Sequence, residues 1–379
     1  MHLEEILERL RRLSPEALAE PWDRVGLQVG DVADPKWHVR RAMLCIDLTE
    51  PVLAEAVKKK ADMIVSYHPP IFDTLTSLTD KDWKQRIIVE AVRRRIAVYS
   101  PHTALDAAEH GLNDWLAAGL DPKAGTNTAR CFRPIEPTVM DGSRQFKIVT
   151  FLPREAEKQL RRAMAQAGAG RIGNYDFCSY NVDGYGTFRP SPAALPTIGT
   201  AGHLEKVHEL RMEMVCPAAA LSLVIGALLS SHPYEEPAFD IYPMHAPTES
   251  STTGAGRLLD FERPVTVNHL VERIKHRLGV QYLAVATPKK HRPIRHVGLC
   301  AGAGGALLAK AGYIDLFFTG EMRHHDILSA QSRGIAVILA GHTQTERPYL
   351  PVYRRRIAEL TEDVHWWTSR ADRPVTQFR

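Results

Sequence analysis

Cysteine is scarce in this chain of 379 residues: Cys45, Cys131, Cys178, Cys216 and Cys300 are scattered, odd in number, and never stand as Cys-x-x-Cys. A disulfide framework and a sulfur-ligated zinc site are not indicated, and the thiols are expected to be buried. Long apolar runs are missing too. The longest, around Ala218 to Leu229, is too short to span a bilayer and is broken by Ser222 and Gly226. Met1 to Leu7 lack the basic start and unbroken apolar core of a secretory signal and read as an amphipathic helix, so a cytoplasmic location without membrane attachment is expected. Excess charge is also lacking. The formal net charge is +4 and no basic run is interleaved with aromatics, which disfavours nucleic-acid binding. Arg93-Arg94-Arg95 and Arg354-Arg355-Arg356 fall within expected helices, as solvated faces. With 44% hydrophobic and 24% charged residues, the composition is that of a soluble globular protein, and its length favours two domains.

What the chain does have is histidine at the ends of apolar runs. Met63-Ile64-Val65 leads into Ser66-Tyr67-His68-Pro69-Pro70, Ile96 to Tyr99 leads into His102-Thr103-Ala104-Leu105-Asp106, and Ile335 to Ala340 leads into His342-Thr343-Gln344-Thr345-Glu346. The last two share the pattern His-Thr-x-x-acid. Thr-x-x-Asp and Thr-x-x-Glu are also capping boxes that open ordinary helices. Capping accounts for the threonine and the acid but not for a histidine directly before the threonine in both places. A strand ending this way delivers an imidazole and a carboxylate to its carboxyl end, where open α/β sheets place their chemistry.

Organisation supports this placement. Helical periodicity from Leu3 to Leu13 is followed by strands at Ala42 to Asp47, Met63 and Ile96, alternating with helices near Pro51 to Lys60, Trp83 to Arg95 and Leu105 to Ala118. The rhythm changes between about Pro134 and Pro247, where the order β-α-β-β-α-β predicts a ferredoxin-like insertion bounded by proline- and threonine-rich punctuation. Alternation then resumes with a helix at Val267 to Leu278 and strands at Val297, Ile314 and Ile335. The expected class is α/β: a two-part mixed or parallel sheet core flanked by helices, interrupted by a ferredoxin-like (α+β) insertion. The corresponding domains are 1–135 and 251–379 for the core and 136–250 for the insertion. If both halves share a sheet the candidate ligands can meet; if not, a common site needs an interface.

His68, Asp106, His342 and Glu346 are the candidate metal ligands, two imidazoles and two carboxylates without sulfur. Such donors suit zinc, iron, manganese, nickel or cobalt, and ligand type alone does not choose among them. A carboxylate can bridge two ions about 3.5 to 4 Å apart, the spacing at which two metals activate one water. Two divalent ions carry four positive charges against two carboxylates, so an anionic, phosphate-bearing small molecule fits the balance. Glu321, at a further strand end, is a pocket candidate. His324-His325 are either contacts at the site or an exposed pair on a helix. Gly302-Ala303-Gly304-Gly305 lacks the lysine and serine of a P-loop and reads as a tight strand-to-helix turn.

At these residues the chain resembles the Nif-three-like dinuclear metal proteins, whose bacterial members are often labelled GTP cyclohydrolase 1 type 2 homologues. The resemblance rests on Ser66-Tyr67-His68-Pro69-Pro70-Ile71-Phe72, on Ser100 to Asp106, on Thr319-Gly320-Glu321 with His324-His325, and on Gly341 to Arg347. Pro21-Trp22-Asp23-Arg24-Val25-Gly26-Leu27-Gln28 is similar to the family's opening signature. The resemblance implies two divalent metal ions: His68 and Asp106 on one, His342 on the other, Glu346 reaching both, and His102 beside them handling protons as the catalytic residue. It implies a ring-shaped homohexamer, and an insertion like the PII/CutA domain of longer members. One departure stands out, because many bacterial relatives have paired histidines where this chain has Tyr67-His68, and a protonated tyrosine is a poor ligand. Two functions follow as expectations: a metal-dependent hydrolase acting on a nucleotide or phosphorylated substrate, or a non-catalytic metal-binding hexameric scaffold.

Overall fold

The computed structural model describes residues 1–120, 132–138, 145–244, 252–289 and 292–375. The chain forms two compact units, Met1–Thr138 with Ser250–Arg379, and Val139–Glu249. Among the described residues no helix is long and apolar enough to cross a membrane. Cys45 and Cys216 are buried, Cys178 and Cys300 partly so, and Cys131 lies outside the described residues.

In the first unit, Arg41–Cys45, Met63–Ser66 and Ala97–Ser100 lie side by side and parallel, with His365–Thr368 parallel at one edge and Gly26–Val29 antiparallel at the other. Met63–Ser66 and Ala97–Ser100 are buried at every position, as parallel strands covered on both faces must be. A second five-stranded sheet carries parallel Ile294–Ala303, Leu316–Glu321 and Ala336–Leu339, flanked by antiparallel Arg257–Val265 and Ala284–Ala286. The second half of the sequence thus lends His365–Thr368 to the first sheet, Gly254–Ala255 pairs with Glu136–Pro137, and the two five-stranded sheets share a core. Helices Leu3–Leu13, Leu112–Leu120, Val267–Leu278 and Leu350–Leu360 bury their apolar stripes in one cluster with Leu44, Val65 and Tyr99 of the first sheet and Leu299, Phe318 and Ile338 of the second. The first of these helices shows why: Leu3, Ile6, Leu7 and Leu10 follow helical spacing and are all buried, while His2 and Glu5 form a reciprocal cap. The outer sheet faces carry separate clusters, one under helices Glu50–Lys58 and Trp83–Arg93, the other including Ala330 of helix His324–Ser332.

The single helix expected from Leu105 to Ala118 is two, His102–Ala107 and Leu112–Leu120. Ala108 leaves the helical region at ψ 148°, and a Cβ at Gly111 would collide with the Leu105 carbonyl oxygen, so the chain turns there. That turn places Asn113, fully buried, between the halves: its side-chain NH₂ donates to the Asp106 carbonyl at 3.1 Å and its oxygen accepts the Ala301 N–H at 2.9 Å. Arg257, also fully buried, pairs with Asp114 and donates to the carbonyls of Gly254, Gly256, Ala107 and Ala108.

The second unit runs Gln145–Leu152, Glu157–Gln166, Tyr180–Phe188, Glu205–Pro217, Leu221–Ser231 and Phe239–Met244. Its strands form one antiparallel sheet in the order Tyr180, Glu205, Gln145, Phe239, the ferredoxin-like arrangement. Ile148, Leu152, Leu210, Met212 and Met214 cover one face against the two helices. Glu235 and Glu236 sit in the turn before the edge strand Phe239–Met244.

Removing one member of a buried ion pair leaves the other charge stranded. Asp114→Ala should therefore destabilise the first unit by about 3 to 5 kcal/mol, read from denaturant unfolding. A loss below about 1 kcal/mol, the range of exposed pairs, would show that Arg257 does not tie the halves together.

Candidate metal centre

Five of the parallel strands end at one cavity of about 760 Å³, and each places a residue of its lining at or just beyond its carboxyl end. Asp47 follows Arg41–Cys45, His68 follows Met63–Ser66, His102 follows Ala97–Ser100, and from the second sheet come Gly302 and His342. His68, His342 and Glu346 converge, each offering one donor atom, and these atoms lie within 4.8 Å of one another. Glu346 is 2% exposed, its Oε1 lying 3.3 Å from His342 Nε2 and its Oε2 3.5 Å from His68 Nε2. The second separation is too long for a directed hydrogen bond, so Oε2 is a buried carboxylate oxygen with no donor. Such an atom is costly unless something cationic faces it. Once the imidazoles give up their Nε2 protons, those two nitrogens and this oxygen are a donor set that suits a divalent transition metal.

The outer ring nitrogens are fixed by carboxylates. His68 Nδ1 lies 2.9 Å from Asp47 Oδ1, and His342 Nδ1 lies 2.9 Å from Glu321 Oε1. These contacts hold each ring with Nε2 toward Glu346, the role that carboxylates play behind metal-bound histidines. Burial alone would lower His68, but Asp47 and Glu346 outweigh it and raise the imidazole to about 10. Glu346, ahead of the opposing burial and with help from Glu321, raises His342 to about 9. Burial would raise Glu346, and the two imidazoles overcome it and hold the carboxyl below its ordinary value. Gly302 completes the cradle at φ +59°, where a Cβ would stand 2.9 Å from Glu346 Oε1 and 3.2 Å from His342 Nε2. Glycine alone suits both that backbone and that space.

His102 occupies the adjoining wall. Its backbone sits at φ +29°, a strained value for a side-chain-bearing residue, and Asp23 holds it there. The Asp23 carboxylate receives His102 Nδ1 at 2.7 Å and both the backbone N–H and the hydroxyl of Thr103. Burial would raise Asp23, but the His102 and Thr103 bonds prevail and hold it low. Thr103 is thus no helix cap, and Asp106 is not half of a capping box. Asp106 accepts instead from the Tyr67 hydroxyl, at 2.5 Å, and burial pushes its carboxyl up to about 6. Tyr67 is itself buried, and desolvation with the neighbouring Asp106 and Glu346 carboxylates keeps its phenol protonated, well above the usual tyrosine range.

Of the side chains named from the sequence, His68, His102, Asp106, His342 and Glu346 line the cavity. Tyr67 and Glu321 do not line it; they stand behind Asp106 and His342 as hydrogen-bond partners. His324 and His325 are exposed at the start of their helix and meet edge to face with ring centroids 5.7 Å apart, outside the cavity lining. Asp23, Asp47 and Gly302 were not singled out. Asp47 had a signal, as the acid just past an apolar strand, and Asp23 lies within the opening signature.

Comparison with known proteins finds relatives over nearly the whole chain. A family model described as Duf34/NIF3 (NGG1p interacting factor 3) matches residues 1–374. The GTP cyclohydrolase 1 type 2 homolog of Bacillus subtilis (strain 168) is 34% identical over 342 residues, covering 89% of this chain and 87% of the relative. NIF3-like protein 1 of Rattus norvegicus is 36% identical over 353 residues, covering 92% and 85%. The crystal structure of a Bacillus cereus protein related to NIF3 superposes with a TM-score of 0.67 at 30% identity, covering 99% of this chain and 98% of the other.

The raised imidazole values carry a sign. A histidine whose folded pKa exceeds its unfolded one stabilises fully below the unfolded value, near 6.5, and loses that contribution as pH rises through the folded value. Chelator-treated protein should therefore lose unfolding free energy as pH climbs through about 9 and about 10, the values of His342 and His68. Stability that stays level across that window, in wild type and His342→Ala alike, would remove this electrostatic account.

Proposed function

Because the chain belongs to the Duf34/NIF3 family, we propose that it is a metal-dependent hydrolase acting on a nucleotide or other phosphorylated small molecule in the cavity above Glu346. The observation that carries this reading is the buried, donorless Oε2 of Glu346 between two imidazoles whose other nitrogens are fixed. A divalent ion held there supplies Lewis acidity toward a carbonyl or phosphoryl oxygen. The chain's own residues supply the rest. His102, with Nδ1 committed to Asp23, presents Nε2 to the cavity as a proton acceptor, in the manner of a general base oriented by a carboxylate. Lys84 on the cavity wall, together with the charge of a bound divalent ion, favours an anionic substrate, while Lys310 is paired with Glu136. Bacterial relatives bear the name GTP cyclohydrolase 1 type 2 homolog, but the sequence carries no recognisable guanine-reading motif that would support ring opening.

The Tyr67–Asp106 bond bears on metal number. Where a second imidazole would donate, this chain places a protonated phenol, and its hydroxyl occupies an Asp106 oxygen. One ion per chain is then held tightly, at His68, His342 and Glu346, and a second position at Asp106 is weak. The same bond favours the second reading, a hexameric metal-binding scaffold in which turnover is not the point.

Metal analysis on purified protein should find about one zinc, manganese, cobalt, nickel or iron ion per chain, and Glu346→Gln should lose it with the fold retained. Hydrolysis assayed on GTP and a panel of phosphoesters should vanish in the same variant and fall about 10²-fold or more in His102→Ala. Full metal loading with no turnover on any substrate would leave the scaffold. Tyr67→His should raise the metal content toward two per chain; an unchanged content would mean that Tyr67 does not limit the second position.

A further inference from the structure

The ferredoxin-like unit contains a cavity of its own, about 920 Å³, unrelated to the metal ligands. It lies against the end of the sheet formed by Tyr180–Phe188 and Glu205–Pro217, and residues from Arg189 to Ile198 and from Tyr234 to Ala238 wall it in. At its base is Glu209, more than nine-tenths buried. One of its oxygens accepts the Tyr234 hydroxyl at 2.8 Å. Burial and the adjacent carboxylate hold that phenol above its ordinary value, so it remains a neutral donor. Among the described residues no lysine, arginine or histidine pairs with Glu209, so a buried carboxylate lacks the counter-charge that burial demands.

The surroundings are built around that carboxylate. Glu209 pairs across the strands with Gly184, and its Oε2 occupies the space that a Cβ at Gly186 would fill. Around Gly184 a Cβ would meet nothing within 4 Å, so the strand opens onto free volume beside the acid. The two basic side chains of the lining are engaged elsewhere, Arg211 with Glu213 and Arg189 with the Gly202 carbonyl. Glu235 and Glu236 add acid at the rim, and Phe188 adds aromatic surface, while the Phe151 ring is faced by the Arg211 guanidinium at 5.8 Å. Apolar walls with one desolvated charge are the common form of a small-molecule site, and aromatic faces attract cations as well.

We propose that this cavity binds a small organic cation, a protonated amine on an apolar or aromatic body, with Glu209 as its counter-ion. The site is independent of the metal centre and of any turnover there.

Calorimetric titration of the full-length protein with phenethylamine tests it. Saturable binding is expected, with 2-phenylethanol, the neutral analogue, binding at least about tenfold more weakly. Glu209→Gln should weaken the amine by at least about tenfold, while His342→Ala should leave it unchanged. Gly184→Val fills the cavity with a residue that suits a strand and should also abolish binding, which keeps the test valid if Glu209→Gln fails to fold. Absence of saturable binding up to about 10 mM, equal binding of the alcohol, retention in Gly184→Val, or loss in His342→Ala would each overturn the proposal.

Discussion

Two sheets that bury their inner faces against the same helices bring their strand ends to one place, and the chemistry of the first unit follows from that constraint. The layer formed by Leu3–Leu13, Leu112–Leu120, Val267–Leu278 and Leu350–Leu360 cannot be covered by either half alone, because its buried side chains are shared with both sheets. Once the halves close on it, the carboxyl ends of three parallel strands in each sheet converge. Asn113 and Arg257, both buried, fill the polar seam and satisfy backbone groups that would otherwise be stranded there.

The convergence concentrates charge in a dry place. Glu346 is nearly inaccessible, so its ionised form needs cationic or metal company, and the two imidazoles are the nearest groups able to provide it. Asp47 and Glu321 then hold those imidazoles from behind, and Asp23 does the same for His102. Each ring has one nitrogen committed to a carboxylate and one turned inward. Tyr67 is the exception within the pattern, a phenol that closes over Asp106 where an imidazole would leave it open.

Much of this was legible along the chain, for local reasons. The helix Leu3–Leu13 follows from the spacing of its leucines and isoleucine, and strands Met63–Ser66 and Ala97–Ser100 from the short apolar runs Met63 to Val65 and Ile96 to Tyr99. The β-α-β-β-α-β order of the insertion is visible because each element carries its own period. The break at Ala108 was not legible, since alanine and leucine favour helix and the turn depends on the close approach of the Leu105 carbonyl to Gly111, which has no Cβ to obstruct it. The exposure of His324 and His325 was equally out of reach, because a histidine pair reads the same on a surface as at a site.

What the sequence by itself determined is which side chains stand at strand ends, because hydrophobic periodicity and turn residues act over a few positions. It placed His68, His102, His342 and Glu346 at such ends, and the repeated pattern with the family resemblance grouped them as candidate ligands, but no local pattern fixes their distances. Only the tertiary structure decided that His68 and Glu346, from opposite ends of the chain, would share one pocket, that Asp106 would be claimed by Tyr67, and that Asp23 and Asp47 would orient the rings. These are contacts between segments with no common local pattern, and they exist because burying one shared core leaves no other way for the two sheets to meet.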